Sequence, residues 1–248
     1  MKFAFRTDVG RKRQSNQDSV GVFENEAGAH IAVVADGMGG HQGGDVASEM
    51  VVSHLGDNFR NNQATNIDEL VRWLVFELNS ENKRILETAH THANLSGMGT
   101  TFVATLMVAD TYIVANIGDS RCYRLRENQL KQLTEDHSLV NELVKHGDIS
   151  PEDAKNHPQK NLITRSLGIS KNVDADVTIF HSYPQDYLLL CSDGLTNMVS
   201  DIEIQTVLES DVDLQTKCDR LIDLANTHGG LDNITALLIY DDSQVDAS

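Results

Sequence analysis

The sequence predicts an α+β fold in which antiparallel sheets and helices are stacked in layers. Three observations lead there. Short apolar runs rich in Val, Ile and Leu alternate with longer segments of helical period. Two of those runs are joined by a link too short for a crossover helix, so they pair antiparallel. The chain has 248 residues, 40% apolar and 23% charged, enough to bury a substantial core within a single layered unit.

Taken in chain order, Val20 to Phe23 is a short apolar run, and Ile31 to Ala35 reads as the first clear strand. A helix is expected from near Gly44, burying Val46, Ala47, Met50, Val51 and Leu55. A second begins at Ile67. Its apolar face carries Leu70, Val71, Leu74, Val75, Leu78, Ile85 and Leu86, with Asn66 as its cap and Glu69 in the capping-box position. Thr101 to Val108 and Tyr112 to Ile117 are strands, and the short link through Ala109-Asp110 makes them a hairpin.

The stretch from Thr134 to Gly168 is polar and leaves this pattern. It holds a short helix around Leu139 to Val144 and a second helix start at Ser150-Pro151-Glu152-Asp153. Long excursions of this kind are often functional. Tyr187 to Cys191 and Ile234 to Tyr240 are the last strands. Between them a helix from Leu214 through Ala225 stops at Gly229-Gly230. The expected organisation is one domain over 1–241, with 134–168 as an excursion and 242–248 as a frayed polar tail.

The formal net charge of −17 repels polyanions, so nucleic acid and anionic lipid are not expected as direct partners. Cys122, Cys191 and Cys218 are scattered without a C-x-x-C pair, which argues against a zinc knot and a disulfide framework. A reducing cytoplasm is the expected setting. MKFAFRTDVGRKR lacks the apolar run of a signal peptide, and no stretch approaches the roughly 20 apolar residues that span a bilayer.

The strongest chemical signal is where certain aspartates fall. Asp36 ends IAVVAD, Asp119 follows YIVANIG, Asp193 follows YLLLCS, Asp232 precedes ITALLIY, and Asp18 precedes Val20. A single Asp-Gly pair reads as a turn. Five aspartates, each beside an apolar run, read differently, because ionised carboxylates gathered in low dielectric need a cation. Oxygen donors suit Mg²⁺ or Mn²⁺ rather than zinc or copper. Two such ions could lower the pKa of a water and aim it at phosphorus. Gly37, lacking a side chain, would let its carbonyl approach a metal closely.

Arg13, in the patch Arg11-Lys12-Arg13, could grip phosphate oxygens; the patch alone reads equally as a solvated turn. His41 could protonate a leaving alkoxide, although a loop histidine is more often simply exposed.

Together the segments RKRQSNQD, VVADGMGGHQGG, GMGTTFVATL, NIGDSRCYRL, LTEDHSLV, LLLCSDGLTNMV and LDNIT resemble the metal-dependent protein phosphatases known as PPM or type 2C. They stand in that family's order from about Thr7 to Tyr240, and the form DGMGGH is similar to its bacterial branch. Gln17 stands where animal-type members often carry glutamate.

The resemblance implies an αββα sandwich with two Mn²⁺ or Mg²⁺ ions at its edge. It implies that Asp36 bridges both ions, that the Gly37 carbonyl binds one, and that Asp193 and Asp232 hold the other. Asp18 is implied to act through water, and Asp119 with Asp193 to form a third, weaker metal site. Arg13 matches the phosphate-binding arginine, His41 the general acid, and 134–168 the flap beside the active site. The implied activity is hydrolysis of phosphoserine and phosphothreonine on proteins by direct attack of water. The implied enzyme opposes a bacterial serine/threonine kinase, and a monomer is expected. A catalytically dead phosphoprotein-binding module would have lost a metal carboxylate. A phosphatase of small esters is not separated from a protein phosphatase by these motifs.

Overall fold

The structure, a computed structural model, describes residues 1–155 and 157–243. The side chains of residues 40–42 and 155 lie outside that description. In chain order the elements are β1 (Lys2–Asp8), β2 (Asp18–Glu24), β3 (His30–Met38), α1 (Gly40–Arg60), α2 (Ile67–Thr91), β4 (Gly99–Thr100), β5 (Phe102–Val108) and β6 (Thr111–Ile117). They continue with β7 (Arg121–Arg126), β8 (Gln129–Gln132), α3 (Leu139–His146), α4 (Pro151–Lys155) and β9 (Asp176–His181). The last are β10 (Tyr187–Cys191), α5 (Asp193–Thr196), α6 (Asp201–Glu209), α7 (Leu214–Thr227) and β11 (Ile234–Tyr240).

The strands form two antiparallel sheets, ordered β1-β11-β10-β7-β8 and β2-β3-β5-β6-β9, with β4 paired to β3. Alternation along β3 shows how the layers stack. Ile31, Val33 and Ala35 pack toward α1 and α2, whereas Ala32 and Val34 face the other sheet. There they meet Leu188, Leu190, Leu237 and Ile239. The opposite face of that second sheet packs Leu189, Ala236 and Leu238 against Leu221, Ile222 and Ala225 of α7. The order is therefore helices, sheet, sheet, helices, the αββα sandwich expected.

Strands buried on both faces lie where the sequence puts them. β10 and β11 match their expected bounds, and β3, β5 and β6 match within a few residues. The two-residue link Ala109-Asp110 does close a hairpin, with Val108 opposite Thr111 and Ala109 at φ 49°. Asn66 caps α2 by accepting from the Glu69 amide at 2.9 Å.

Several elements differ from expectation. β1, β7, β8 and β9 were not expected as strands. β1 and β9 are sheet edges with little two-sided burial, so their apolar pattern is sparse. β7 and β8 are joined by Glu127-Asn128, both at positive φ, a turn without the glycine that usually marks it. α1 starts at Gly40 rather than near Gly44. Its N-cap is Gly39 at φ 110° with no side-chain cap, so no Ser, Thr or Asp advertises the start.

The excursion is tied at its base by the bridge between Ser138 and Ile163, and Leu167 pairs with Thr100. Asp242 accepts an ion pair from the N-terminus at 2.7 Å, while 244–248 of the polar tail lie outside the described residues. Among the described residues no helix is long and apolar enough to cross a membrane.

Candidate active site

Antiparallel pairing brings the ends that carry aspartates to one edge of the sandwich. Asp18 opens β2 directly opposite Asp36 near the end of β3. Asp119 follows β6, Asp193 follows β10, and Asp232 precedes β11. Asp18 then joins the two sheets. Its Oδ2 accepts from Ser192 Oγ at 2.7 Å and from Thr235 Oγ1 at 2.6 Å.

The carboxylates crowd one another. Burial pushes the Asp36 carboxyl well above the usual range, and the charges of Asp18, Asp193, Asp119 and Asp232 push it further. Burial likewise raises Asp18 to about 7, Asp119 to about 8 and Asp193 to about 6. The hydroxyls of Thr235 and Ser192 partly offset the rise at Asp18; Asp232 adds to it at Asp193. Asp18 Oδ1, Asp119 Oδ1 and Asp193 Oδ1 are buried with no hydrogen-bond partner. Arg13 is the one cation ion-paired to these five aspartates among the described residues. Its Nη2 lies 2.7 Å from Asp232 Oδ2, at the exposed rim. The neighbouring Arg121 is taken up by a bidentate pair with Asp136, at 2.7 to 3.1 Å.

Gathered acidic oxygens with open valences and little protein cation beside them fit a divalent metal. All the donors are oxygens, the chemistry of Mg²⁺ and Mn²⁺. Among the described residues no three or more His, Cys, Asp or Glu side chains are already arranged to hold one ion. Hard ions that keep several waters and use only one or two carboxylates do not require such a group. Gly37 is fixed by packing: a Cβ there would lie 2.0 Å from the Gly44 carbonyl oxygen and 2.6 Å from that of Gln17. The start of α1 can therefore approach the β3 terminus only because residue 37 has no side chain.

The structure brings Arg13, Asp18, Asp36, Gly37, Asp119, Asp193 and Asp232 to this edge. His41 falls in the first turn of α1, and its side chain lies outside the described residues.

Sequence reasoning missed the residues that hold these in place. Asn233 is 4% exposed and ties three segments together. Its Nδ2 donates to the Val9 and Ser15 carbonyls, each at 2.9 Å, and its Oδ1 accepts from the Gln17 amide at 2.9 Å. That fixes the loop carrying Arg13 onto β11. His137 is 2% exposed beneath the Gly118-Asp119 turn. Its Nδ1 accepts from the Gly118 amide at 3.1 Å, which leaves Nε2–H to donate to Asp176 at 3.2 Å. Asn197 donates to Asp193 Oδ2 at 3.0 Å. For Asn197 and Asn233 the available signal was position alone, within four residues of Asp193 and Asp232; His137 lies far along the chain from Asp119 and had no such signal.

Comparison with known proteins places the chain in a family. A family model described as protein phosphatase 2C matches residues 9–231. A Listeria welshimeri protein named serine/threonine phosphatase stp is 50% identical over 240 residues, 96% of this chain and 95% of its own. The solved serine/threonine phosphatase of S. agalactiae is 44% identical with a TM-score of 0.94, covering 96% of this chain and 98% of its own. The catalytic domain of the phosphatase PstP, solved with two manganese ions, is 36% identical with a TM-score of 0.84, covering 96% of each chain.

Proposed function

The chain belongs to the protein phosphatase 2C family of metal-dependent phosphatases, and we propose that it removes phosphate from serine and threonine side chains of proteins by direct transfer to water. The observation that carries this reading is the crowding of aspartates at one edge, where Asp18, Asp119 and Asp193 each keep a buried oxygen with no hydrogen-bond partner.

Asp36, Asp193 and Asp232, with the Gly37 carbonyl, would hold two Mn²⁺ or Mg²⁺ ions; Asp119 with Asp193 would hold a third. When bound, these ions supply positive charge to phosphoryl oxygens and acidify water. Asp18, fixed by Ser192 and Thr235, orients water at the same edge. Arg13 reaches the rim and clamps the phosphoryl oxygens as a fork of N–H donors. His41 is assigned proton delivery to the leaving alkoxide on its place in the sequence. Catalysis on this reading is positioning and charge stabilisation, without a phosphoenzyme. The enzyme acts as a monomer in the cytoplasm, opposing a serine/threonine kinase. Deleting its gene would then raise phosphothreonine on that kinase's targets, and unchanged levels would count against this partner.

The direct test is phosphate release from a phosphothreonine peptide, with Mn²⁺ and with chelator, by wild type and Asp193→Ala. Metal-dependent turnover that collapses in the variant is expected. A wild type that binds Mn²⁺ yet releases nothing from several peptides would sink the phosphoprotein reading.

A further inference from the structure

A cavity of about 840 Å³ opens from Asp119 and Asp193 and runs between the excursion and the start of α6. That is far more than a phosphate needs, since pockets of roughly 300–1,000 Å³ hold drug-sized molecules. Val140, Val144 and Pro151 line the excursion side, together with Lys160. The opposite wall is different. Ile202 is 79% exposed there, flanked by Asp201 and Glu203.

Of the two carboxylates on that second wall, Asp201 is the one available to an occupant. Asp201, at the first position of α6, makes no hydrogen bond or ion pair among the described residues. Glu203 is turned back onto the Ser200 amide at 2.9 Å and its hydroxyl at 2.7 Å, bonds that lower its pKa and keep it ionised. Arg121, which also lines the cavity, is already neutralised by Asp136. One wall is thus an apolar side chain between two carboxylates, continuous with the aspartate edge.

We propose that this groove receives the substrate segment flanking the phosphorylated residue, and that Asp201 and Ile202 select a lysine or arginine with a long aliphatic stem. The stem would lie on Ile202 while the charged head meets Asp201. The inference rests on the phosphoprotein phosphatase reading and names the class of substrate for the same site.

The test compares matched phosphothreonine peptides carrying Arg, Ala or Glu at each nearby position on either side, with Mn²⁺-loaded enzyme at low salt. At one flank wild type is expected to favour Arg over Glu by roughly three- to fivefold in kcat/KM, the scale of an exposed ion pair. Asp201→Asn should reduce that ratio and Asp201→Lys should reverse it. Because each ratio is internal to one enzyme, a variant with poorer turnover still reports. Glu87→Gln, an exposed carboxylate on α2 behind the other sheet, should leave the ratio as in wild type. Equal turnover of Arg and Glu peptides by wild type overturns the inference. So does a preference that survives Asp201→Lys, which would assign it to the overall charge of −17. If wild type hydrolyses p-nitrophenyl phosphate but no peptide, the phosphoprotein reading itself fails and the groove falls with it.

Discussion

Among the buried and half-buried carboxylates of this molecule, two groups are treated in opposite ways. Between α1 and α2, Glu77 and Glu81 are 8% and 0% exposed. Each has a partner from the other helix or its own. Asn58 Nδ2 donates to Glu77 at 2.7 Å and His54 Nδ1 lies 2.8 Å from Glu81 Oε2; Glu81 Oε1 makes no hydrogen bond, but Arg84 Nε lies 3.5 Å away as its ion-pair partner. At the sandwich edge, Asp18 has the Ser192 and Thr235 hydroxyls and Asp193 the Asn197 amide, but among the described residues no cation pairs with Asp18, Asp36, Asp119 or Asp193, and one oxygen each of Asp18, Asp119 and Asp193 has no hydrogen-bond partner. A paired buried carboxylate holds helices together. An unpaired cluster costs stability and persists where something else supplies the charge. On the proposed reading, the edge aspartates are the functional acids and Glu77 and Glu81 the structural ones.

The largest expected effect of breaking this contrast is at Asp36. Asp36→Asn should lower metal-dependent peptide turnover by roughly a hundredfold or more, beyond what loss of a supporting contact costs. The same substitution should raise the melting temperature of the metal-free protein, because it removes a carboxyl whose ionisation is opposed by burial and by four neighbouring carboxylates, a cost an amide does not carry. Activity and stability moving in opposite directions is the signature of a functional acid. A variant that melts lower without metal would place Asp36 with the structural carboxylates.

A pH series sharpens the same point. Asp193, Asp18 and Asp119 are raised to about 6, 7 and 8, above the ordinary value of 3.8. The folded chain therefore keeps protons that the unfolded chain has released. The stability this contributes is fully present below the unfolded value and is lost as pH rises through about 6 to 8. Melting of chelated protein should fall from pH 5 to pH 8. Stabilisation by added Mn²⁺ should grow over the same interval, because binding displaces those protons. A melting temperature in chelator that is flat or rising from pH 5 to 8 would contradict the crowding of the aspartates.

The two groups also differ in how well the sequence announces them. Asp36, Asp119, Asp193 and Asp232 sit at abrupt boundaries of apolar runs, where a charge stands out. Glu77 and Glu81 lie within a long helix whose period already explains the apolar residues around them, so they read as solvent-facing. Their burial depends on α1 crossing α2, a tertiary fact that no local pattern encodes. The same holds for Asn233 and His137, whose partners lie 216 and 19 residues away. Central strands such as β10 were legible because both faces are buried. Edge strands such as β9, and the Glu127-Asn128 turn, were not, because solvent leaves their composition free.

The smallest effect comes from the structural group and completes the comparison. Glu81→Gln keeps the shape of the side chain and one hydrogen bond to His54, but removes the charge facing His54 and Arg84. A buried hydrogen bond to a charged group contributes roughly 1.5–3 kcal/mol, and part of it survives in the amide, so a loss of about 1–2 kcal/mol is expected. Turnover per folded molecule should remain that of wild type, since α1 and α2 pack on the outer face of the sheet and Glu81 touches none of the edge aspartates. Urea melts with and without Mn²⁺ would show the loss unchanged by metal. If Mn²⁺ restored it, or if turnover fell with it, the helix pair would be coupled to the aspartate edge through α1, whose Gly44 packs on Gly37. The division into structural and functional acids would then have to be redrawn along that helix.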